Sequence, residues 1–205
     1  GSIAATRLSA NTTSAFSIVT YTGNDVAGAT VAHGLGVSPE LVIIKSTNSA
    51  QAWAVTSPEL GTTGDTTGGL DEYYMLALNT TAAKADYSQD NIFGLTSTTF
   101  SVGSTGSMNE VNNSSYSYVA YCFDSIEGYS KVGSYAGNSS STDGTFIYCG
   151  FKPAYVLNKM IEPHTYGWVV EDSVRDPYNA AGYQLYPNTS GAESANHPRV
   201  DFVSN

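Results

Sequence analysis

The feature that most constrains this chain is a stretch of sequence that occurs twice. "GVSPELVIIK" begins at Gly36 and "GFKPAYVLNK" begins at Gly150. In both copies a glycine and a proline precede an apolar run that ends at a lysine, and the two lysines are Lys45 and Lys159. Such a repeat indicates an internal duplication, so the architecture has to be interpreted in repeat units.

Other anchors recur in the same order along the chain. The further corresponding pairs are the segments that begin at Phe16 and Tyr129, the tryptophans Trp53 and Trp168, and the segments that begin at Asn79 and Asn188. We therefore predict a first β repeat over residues 16–127 and a second over 128–205. Residues 1–15 are predicted to be a separate N-terminal segment that opens with a Gly-Ser tag remnant.

The second repeat is predicted to be truncated, because no counterpart of "TFSVG" (99–103) or "YSYVAYCFD" (116–124) follows it. Three explanations stay open at this point: the sequence is a fragment, a neighbouring subunit supplies strands, or the second repeat closes its sheet differently. Since an unpaired sheet edge favours unwanted pairing, we expect this edge to be covered.

Short β-branched and aromatic runs, separated by Gly, Asn, Asp and Pro, predict strands throughout, and helical periodicity is nearly absent. The predicted strands are 16–23, 29–34, 40–46, 52–57, 73–79, 92–98, 99–103 and 116–124 in the first repeat, and 129–137, 145–151, 154–160, 167–173, 183–188 and 200–204 in the second. This pattern predicts an all-β fold of two homologous antiparallel β-sandwich halves, jelly-roll-like in arrangement. The polar tract 104–117 is predicted to be a long loop, either functional or without a role.

Composition excludes several classes of partner. The 205 residues carry a formal net charge of −10 with only 8 Lys and Arg, so a nucleic-acid partner is not expected. No apolar run approaches the roughly 20 residues of a membrane span, and no signal peptide is visible. Cys122 and Cys149 lie in strand-like runs and are expected to be buried thiols, although a disulfide between neighbouring strands stays open.

Catalytic and cofactor motifs are missing. The sequence contains no nucleophile elbow, P-loop, paired C-x-x-C or H-E-x-x-H, so we predict neither catalytic residues nor a cofactor. The histidines His33, His164 and His197 are too widely spaced for a local zinc site, and no metal site is predicted. A calcium ion held by aspartates and carbonyls stays open, although no EF-hand loop is present.

The acidic segment "VVEDSVRDPYN" (169–179) offers two interpretations. Glu171, Asp172 and Asp176 supply the paired carboxylates that glycoside hydrolysis requires. The first repeat has "VTSP" at the corresponding place, without carboxylates. We favour a charged loop in which Arg175 pairs with Asp172 or Asp176.

Aromatic residues are the better functional candidates. The equivalence of Trp53 and Trp168 favours a core role, each packing inside its own half. The second repeat alone has loops that carry Tyr166 and Tyr178, whose rings could stack on a sugar while polar neighbours bind its hydroxyls. The predicted ligand-binding residues are Tyr166, Tyr178, Asp172, Asp176, Asn179 and His164. That these rings merely cover loops is an equally open interpretation.

The ordered anchors, from "FSIVTYTGN" and "HGLGVSPELVIIK" to "YVAYCFDSIEGYSKVGSYAGN", "YCGFKPAYVLNK" and "DSVRDPYN", resemble a repeat-bearing domain of bacteriophage tail fibres and other virion structural proteins. The resemblance runs over most of the chain from Phe16 onward. It implies a virion-associated, often oligomeric domain without an assigned activity, and it transfers no catalytic residue and no ligand.

The sequence thus leads to the hypothesis of a non-enzymatic phage tail-fibre or virion-surface domain, assembled in the host cytoplasm, that attaches to a host cell-surface polysaccharide. Its expected partners are that glycan, other tail or virion proteins, and further copies of itself, with a trimer favoured. The alternatives are a purely structural capsid or fibre module without a ligand, and a polysaccharide depolymerase that uses Glu171, Asp172 or Asp176.

Overall fold

The protein was analysed as a computed structural model, which describes residues 1–61, 74–86, 94–103, 109–140, 142–195 and 200–203. Within these ranges the regular structure is almost entirely β, and the predicted all-β class is confirmed. The strands are β1 (Ala5–Asn11), β2 (Phe16–Thr22), β3 (Ala29–Ala32), β4 (Leu41–Ser46), β5 (Trp53–Thr56), β6 (Tyr74–Ala77), β7 (Ala85–Asp86), β8 (Thr99–Val102), β9 (Ser117–Phe123), β10 (Tyr155–Lys159) and β11 (Trp168–Asp172). A 3-10 turn (Pro58–Leu60) and a four-residue helix (Asn109–Asn112) complete the regular elements of these ranges.

Seven strands form one antiparallel sheet in the order β1-β2-β9-β4-β5-β6-β7. β9 lies at its centre and pairs along its whole length with β2 on one side and β4 on the other, so that Phe16 and Leu41 both lie opposite Phe123. β1 is the edge strand on the β2 side and was not predicted. The N-terminal segment is therefore part of the sheet, and Ile3 ahead of β1 is buried against the same core.

The main core lies between this sheet and a second layer made by the antiparallel pair β3–β8. Alternate side chains of the central strands face it, as the period of two in a half-buried strand requires. The rings of Tyr21 and Tyr118 stack at 5.1 Å, and Tyr21 donates a 2.6 Å hydrogen bond to the carbonyl of Val111. Because burial disfavours the phenolate, the pKa of Tyr21 is raised well above its ordinary value.

His33 is a structural residue of this first core. It is fully buried, its Nε2 bonds the carbonyl of Thr96 at 3.0 Å, and its Nδ1 accepts from the N–H of Leu35 at 3.2 Å. These partners assign the neutral tautomer with its proton on Nε2. Burial lowers the pKa of the imidazole, which agrees with a histidine that stays uncharged in the folded protein. His197 lies outside the described residues.

The division into two sandwich halves is not confirmed. Among the described residues, the second repeat contributes the two-stranded antiparallel sheet β10–β11 and isolated bridges at Ser130, Ala181, Gln184 and Leu185. The predicted strands 129–137 and 145–151 do not form within the described residues, because no neighbouring chain segment pairs with them. The predicted strand 92–98 also does not form over 94–98, where Leu95 makes a single bridge, and residues 92–93 lie outside the described residues.

The duplication is nevertheless visible in strand register. Lys45 lies opposite Trp53 in the β4–β5 pair, and Lys159 lies opposite Trp168 in the β10–β11 pair. In both copies the lysine ammonium donates to the carbonyl two residues before the tryptophan, that of Gln51 at 2.5 Å and that of Tyr166 at 2.7 Å. The repeated sequence therefore encodes one hairpin, built twice with the same cross-strand pairs and the same loop contact.

The correspondence continues beyond this hairpin. The equivalent pairings are Val55–Leu76 with Val170–Leu185, and Met75–Ala85 with Gln184–Ser194. The N–H of Trp53 donates to Asn79 Oδ1 at 2.9 Å, and the N–H of Trp168 donates to Asn188 Oδ1 at 2.8 Å. We refer to residues 41–86 and 155–194 as the first and second copies of a four-strand unit.

The two copies pack on each other through Trp168. This side chain is 5% exposed and lies in a second core with Val55, Leu60 and Leu76 of the first copy. Its indole Nε1–H donates to the carbonyl of Ala77 at 2.9 Å. The prediction that each tryptophan packs inside its own half is therefore wrong for Trp168, because its ring contacts the other copy. Trp53 is half-buried.

Both cysteines are free, and the expectation of two buried thiols is confirmed only for Cys122. Cys122 lies in β9 with no exposed surface, and burial raises the pKa of its thiol to about 12. Cys149 is only partly buried and lines a shallow cleft of ≈ 290 Å³ between residues 125–131 and 148–150.

The two thiols should therefore differ in reactivity, because the thiolate is the reacting species and needs access to the reagent. At pH 8 we expect an aromatic disulfide reagent to modify Cys149 in the folded protein and Cys122 only after unfolding. Mass spectrometry of the native and the denatured protein would measure this. The Cys149→Ser variant is the control and should show no native reaction; rapid double modification without unfolding would contradict the burial of β9.

Candidate functional site

Five of the six predicted ligand-binding residues lie in two loops at opposite ends of β11, and the sixth, Asp172, is the last residue of this strand. The loop 160–167 before the strand carries His164 and Tyr166, and the loop 173–183 after it carries Asp176, Tyr178 and Asn179. Since β11 has five residues and a strand rises about 3.4 Å per residue, the loops are separated by about 15 Å. The predicted residues therefore form two surfaces and not one site.

Asp172, at the end of β11, organises the second of these loops. Its carboxylate accepts from the N–H groups of Val174 and Arg175 at 3.0 and 2.8 Å, and from Arg175 Nε at 2.5 Å. The backbone and side-chain hydrogen bonds from Arg175 lower the pKa of Asp172. Arg175 also forms a salt bridge with Glu193, in which its Nη1 lies 2.9 Å from Glu193 Oε2. The structure thus has Arg175 paired with Asp172, as favoured from sequence, and the pair holds the loop in place.

Asp176 and Asn179 also serve the conformation of this loop. Asp176 Oδ2 accepts from the N–H of Gly182 at 2.7 Å, which closes the loop on itself. The amide of Asn179 bonds the backbone of Phe202 in both directions, donating to its carbonyl at 3.1 Å and accepting from its N–H at 2.9 Å. Each side chain still has hydrogen-bonding capacity for a ligand, but its position is fixed by the protein.

The aromatic rings of these loops are exposed. Tyr178 is 79% exposed and Tyr166 is 60% exposed, and no cluster of the apolar core includes either ring. The imidazole of His164 meets the ring of Tyr166 edge-on at 6.0 Å between centroids. Lys159 supports this loop from beneath, because its ammonium donates to the carbonyls of Met160 and Tyr166.

Sequence reasoning missed Tyr155 as a member of the second surface. Tyr155 lies directly opposite Asp172 in the β10–β11 pair and is 58% exposed. Partial burial raises the pKa of its phenol, while the nearby Arg175 acts in the opposite direction. The register that places Lys159 opposite Trp168 could have identified it, because counting back along β10 and forward along β11 from this pair brings Tyr155 opposite Asp172. We define Tyr155, Asp172, Arg175, Tyr178 and Glu193 as the β11 surface.

The three carboxylates considered for acid–base chemistry do not converge. Glu171 and Asp172 are neighbours in a strand and so point to opposite faces of the sheet. Glu171 is buried, and its carboxylate accepts from Gln184 Nε2 at 2.7 Å. With Asp172 bound to Arg175 and Asp176 to Gly182, the geometry gives each of the three a role in holding the fold.

Within the described ranges, no group of three or more His, Cys, Asp and Glu side chains is placed to hold a metal ion. None of the helices that the structure describes has the length and apolar character needed to cross a membrane.

Fold and surface together define an all-β protein with a duplicated four-strand unit and tyrosine-bearing loops on the second copy. The chain belongs to the family described as a domain of unknown function, DUF7483, whose model matches residues 1–205. No curated protein and no solved structure matches the chain.

Proposed function

We propose that this domain is a non-catalytic attachment module of a phage tail fibre or virion surface, which binds a cell-surface polysaccharide through the loops at the ends of β11. The observation on which the proposal depends is that Tyr166 and Tyr178 are largely exposed on loops whose backbone is fixed by Lys159 and by the Asp172–Arg175 pair. A rigid, exposed aromatic ring offers a flat apolar surface to a sugar at little entropic cost.

The chemistry of the surroundings supports this class of ligand. The loop that carries Tyr178 also carries Arg175, whose charge is already paired with Asp172 and Glu193. Paired charged side chains can still form hydrogen bonds with neutral hydroxyl groups. Because their charges cancel, they do not attract ions strongly. The net charge of −10 and the low content of lysine and arginine also disfavour strongly anionic polymers.

The test is binding to an array of bacterial capsular, lipopolysaccharide and exopolysaccharide glycans. For a glycan bound by the natural chain, we expect Tyr166→Ala combined with Tyr178→Ala to weaken the affinity at least tenfold, whereas Tyr178→Phe preserves it. The matched control is Tyr135→Ala, since Tyr135 is 55% exposed but lies outside both loops. Binding that survives the double substitution, or no binding by correctly folded protein, would contradict the proposal.

The same samples discriminate the alternatives. Shortening of the polymer that Asp172→Ala abolishes would support the depolymerase. A virion role additionally requires that micromolar protein compete with adsorption of the parent phage to its host. A purely structural module, the second candidate, is supported by the exposed apolar side chains of Phe146, Ile147 and Tyr148 and would bind no glycan at all.

A further inference from the structure

We propose that the second copy of the four-strand unit is a docking site for a partner β-strand of the β9 type, which adds to the outer edge of β10. The first repeat provides the template, because there β4 lies between β5 and β9. In the second copy β10 takes the place of β4 and pairs with β11, while its other edge has no strand partner among the described residues.

The counterparts of β2 and β3 lack the same partners. In the first repeat β2 pairs with β9, and β3 pairs with β8. In the second repeat the corresponding segments lie within 129–137 and 142–150. Tyr129 and Ser130 bond Ile126 in a tight turn, and none of the other described residues of these segments makes a backbone–backbone hydrogen bond. The counterparts of β2 and β3 thus lack the partners that β9 and β8 provide in the first repeat.

The exposed side chains of this region support its role as a docking surface. Phe146, Ile147 and Tyr148 are 66%, 45% and 69% exposed, whereas Val31 of β3 is fully buried in the first core. Apolar residues in strand-like sequence, left exposed together beside an open strand edge, are the features that strand addition uses. Such an open edge is usually protected in a stable protein.

The first repeat also defines the chemistry of the partner. β9 reads "SYVAYCF" over Ser117–Phe123, and its small and aromatic side chains at Tyr118, Ala120 and Cys122 are fully buried. The partner is therefore an uncharged strand composed of small and aromatic residues. Residues 144–160 of the acceptor contain Lys152 and Lys159 and no acidic residue, so an uncharged strand meets no repulsion there.

A second copy of this chain is a poor donor of such a strand. Its own β9 is paired along both edges, with β2 and with β4, and cannot leave without opening the central sheet. The register of the partner strand on β10 follows from the β4–β9 pair. Val42 lies opposite Cys122 in that pair, so Val156 of β10 is expected to lie opposite the corresponding residue of the partner.

The direct experiment uses a synthetic peptide with the sequence of residues 115–125 and the substitution Cys122→Ser, which prevents a disulfide with Cys149. We expect saturable 1:1 binding in titration calorimetry. Hydrogen exchange should slow at least tenfold for amides of β10 and of 131–150 when the peptide is bound. The control peptide carries Val119→Pro and Tyr121→Pro, which remove ladder hydrogen bonds, and it should not bind.

Three results would overturn the proposal. One is the absence of protection from hydrogen exchange in β10 when the peptide sequence is joined after Asn205 by a Gly/Ser linker. In this fusion protein the solubility of a free peptide plays no part. Another is protection of β1 in place of β10, because β1 is the edge strand of the large sheet and would report unspecific pairing. The third is an oligomer of the protein alone, seen by light scattering, that already protects 142–150. None of these outcomes depends on glycan binding, so the attachment proposal is tested separately.

Discussion

Gly23→Ala is expected to destabilise the fold by about 3 kcal/mol, because a side chain at this position overlaps the backbone. A Cβ built on Gly23 would lie 2.3 Å from the carbonyl oxygen of Asn113 and 2.5 Å from the carbonyl carbon of Asn112. Neither atom is the end of a flexible side chain, so the strand and the turn would have to separate. For a chain of this size the loss corresponds to roughly 6–12 °C in Tm.

The repeat provides a matched control at Gly137, which corresponds to Gly23 in the "TGN" and "AGN" segments. A Cβ at Gly137 meets no atom within 4 Å. Gly137→Ala should therefore leave the free energy of unfolding within about 0.5 kcal/mol of the natural chain. Thermal and chemical denaturation of both variants measures the difference in the free energy of unfolding. Equal losses of stability would mean that the segment around Gly137 is packed like the segment around Gly23.

Trp168→Ala is expected to cost about 3–5 kcal/mol, since it removes a large buried side chain from the contact between the two copies. The ring packs on Val55, Leu60 and Leu76, and its Nε1–H bond to Ala77 is lost as well. Trp168→Phe keeps most of the apolar contact and loses the hydrogen bond, so a smaller loss of about 1–2 kcal/mol is expected.

Trp53→Ala is the control for this prediction, because Trp53 has the same cross-strand lysine and the same asparagine contact but is only half-buried. Denaturant titration of the three variants should place its loss well below that of Trp168→Ala. If Trp53→Ala proved the more damaging substitution, the second core would not lie where the structure has it.

Lys84 offers a further contact between the copies, as its N–H donates to the carbonyl of Ile161 at 3.0 Å.

The sequence predicted the strands whose partners lie in the same repeat. β4 and β10 were both found from the repeated glycine-proline turn and apolar run, because these features are local and the pairing partner follows a few residues later. The segment 145–151 has the same strand-like composition but forms no strand in the described residues. Strand formation depends on a partner, which composition alone does not reveal.

β1 was not predicted because it has a strand partner but lacks a strand-like sequence pattern. Its sequence, "ATRLSAN", is mostly polar and its side chains are largely exposed, so it has no apolar alternation to detect. It forms because β2 offers an edge with which it can pair. For the candidate site, the rings of Tyr166 and Tyr178 were selected from loop composition and are exposed in the structure, whereas Tyr155 required knowledge of the β10–β11 register.

In the described residues of the second repeat, β10 and β11 form the regular structure, and the counterparts of β2 and β3 have no strand partner. Residue-resolved amide exchange on the free monomeric protein tests this arrangement most directly. We expect slow exchange in β9 and β4, intermediate exchange in β10 and β11, and exchange near the intrinsic rate over 142–150. Exchange over 142–150 as slow as that of β3 would contradict it.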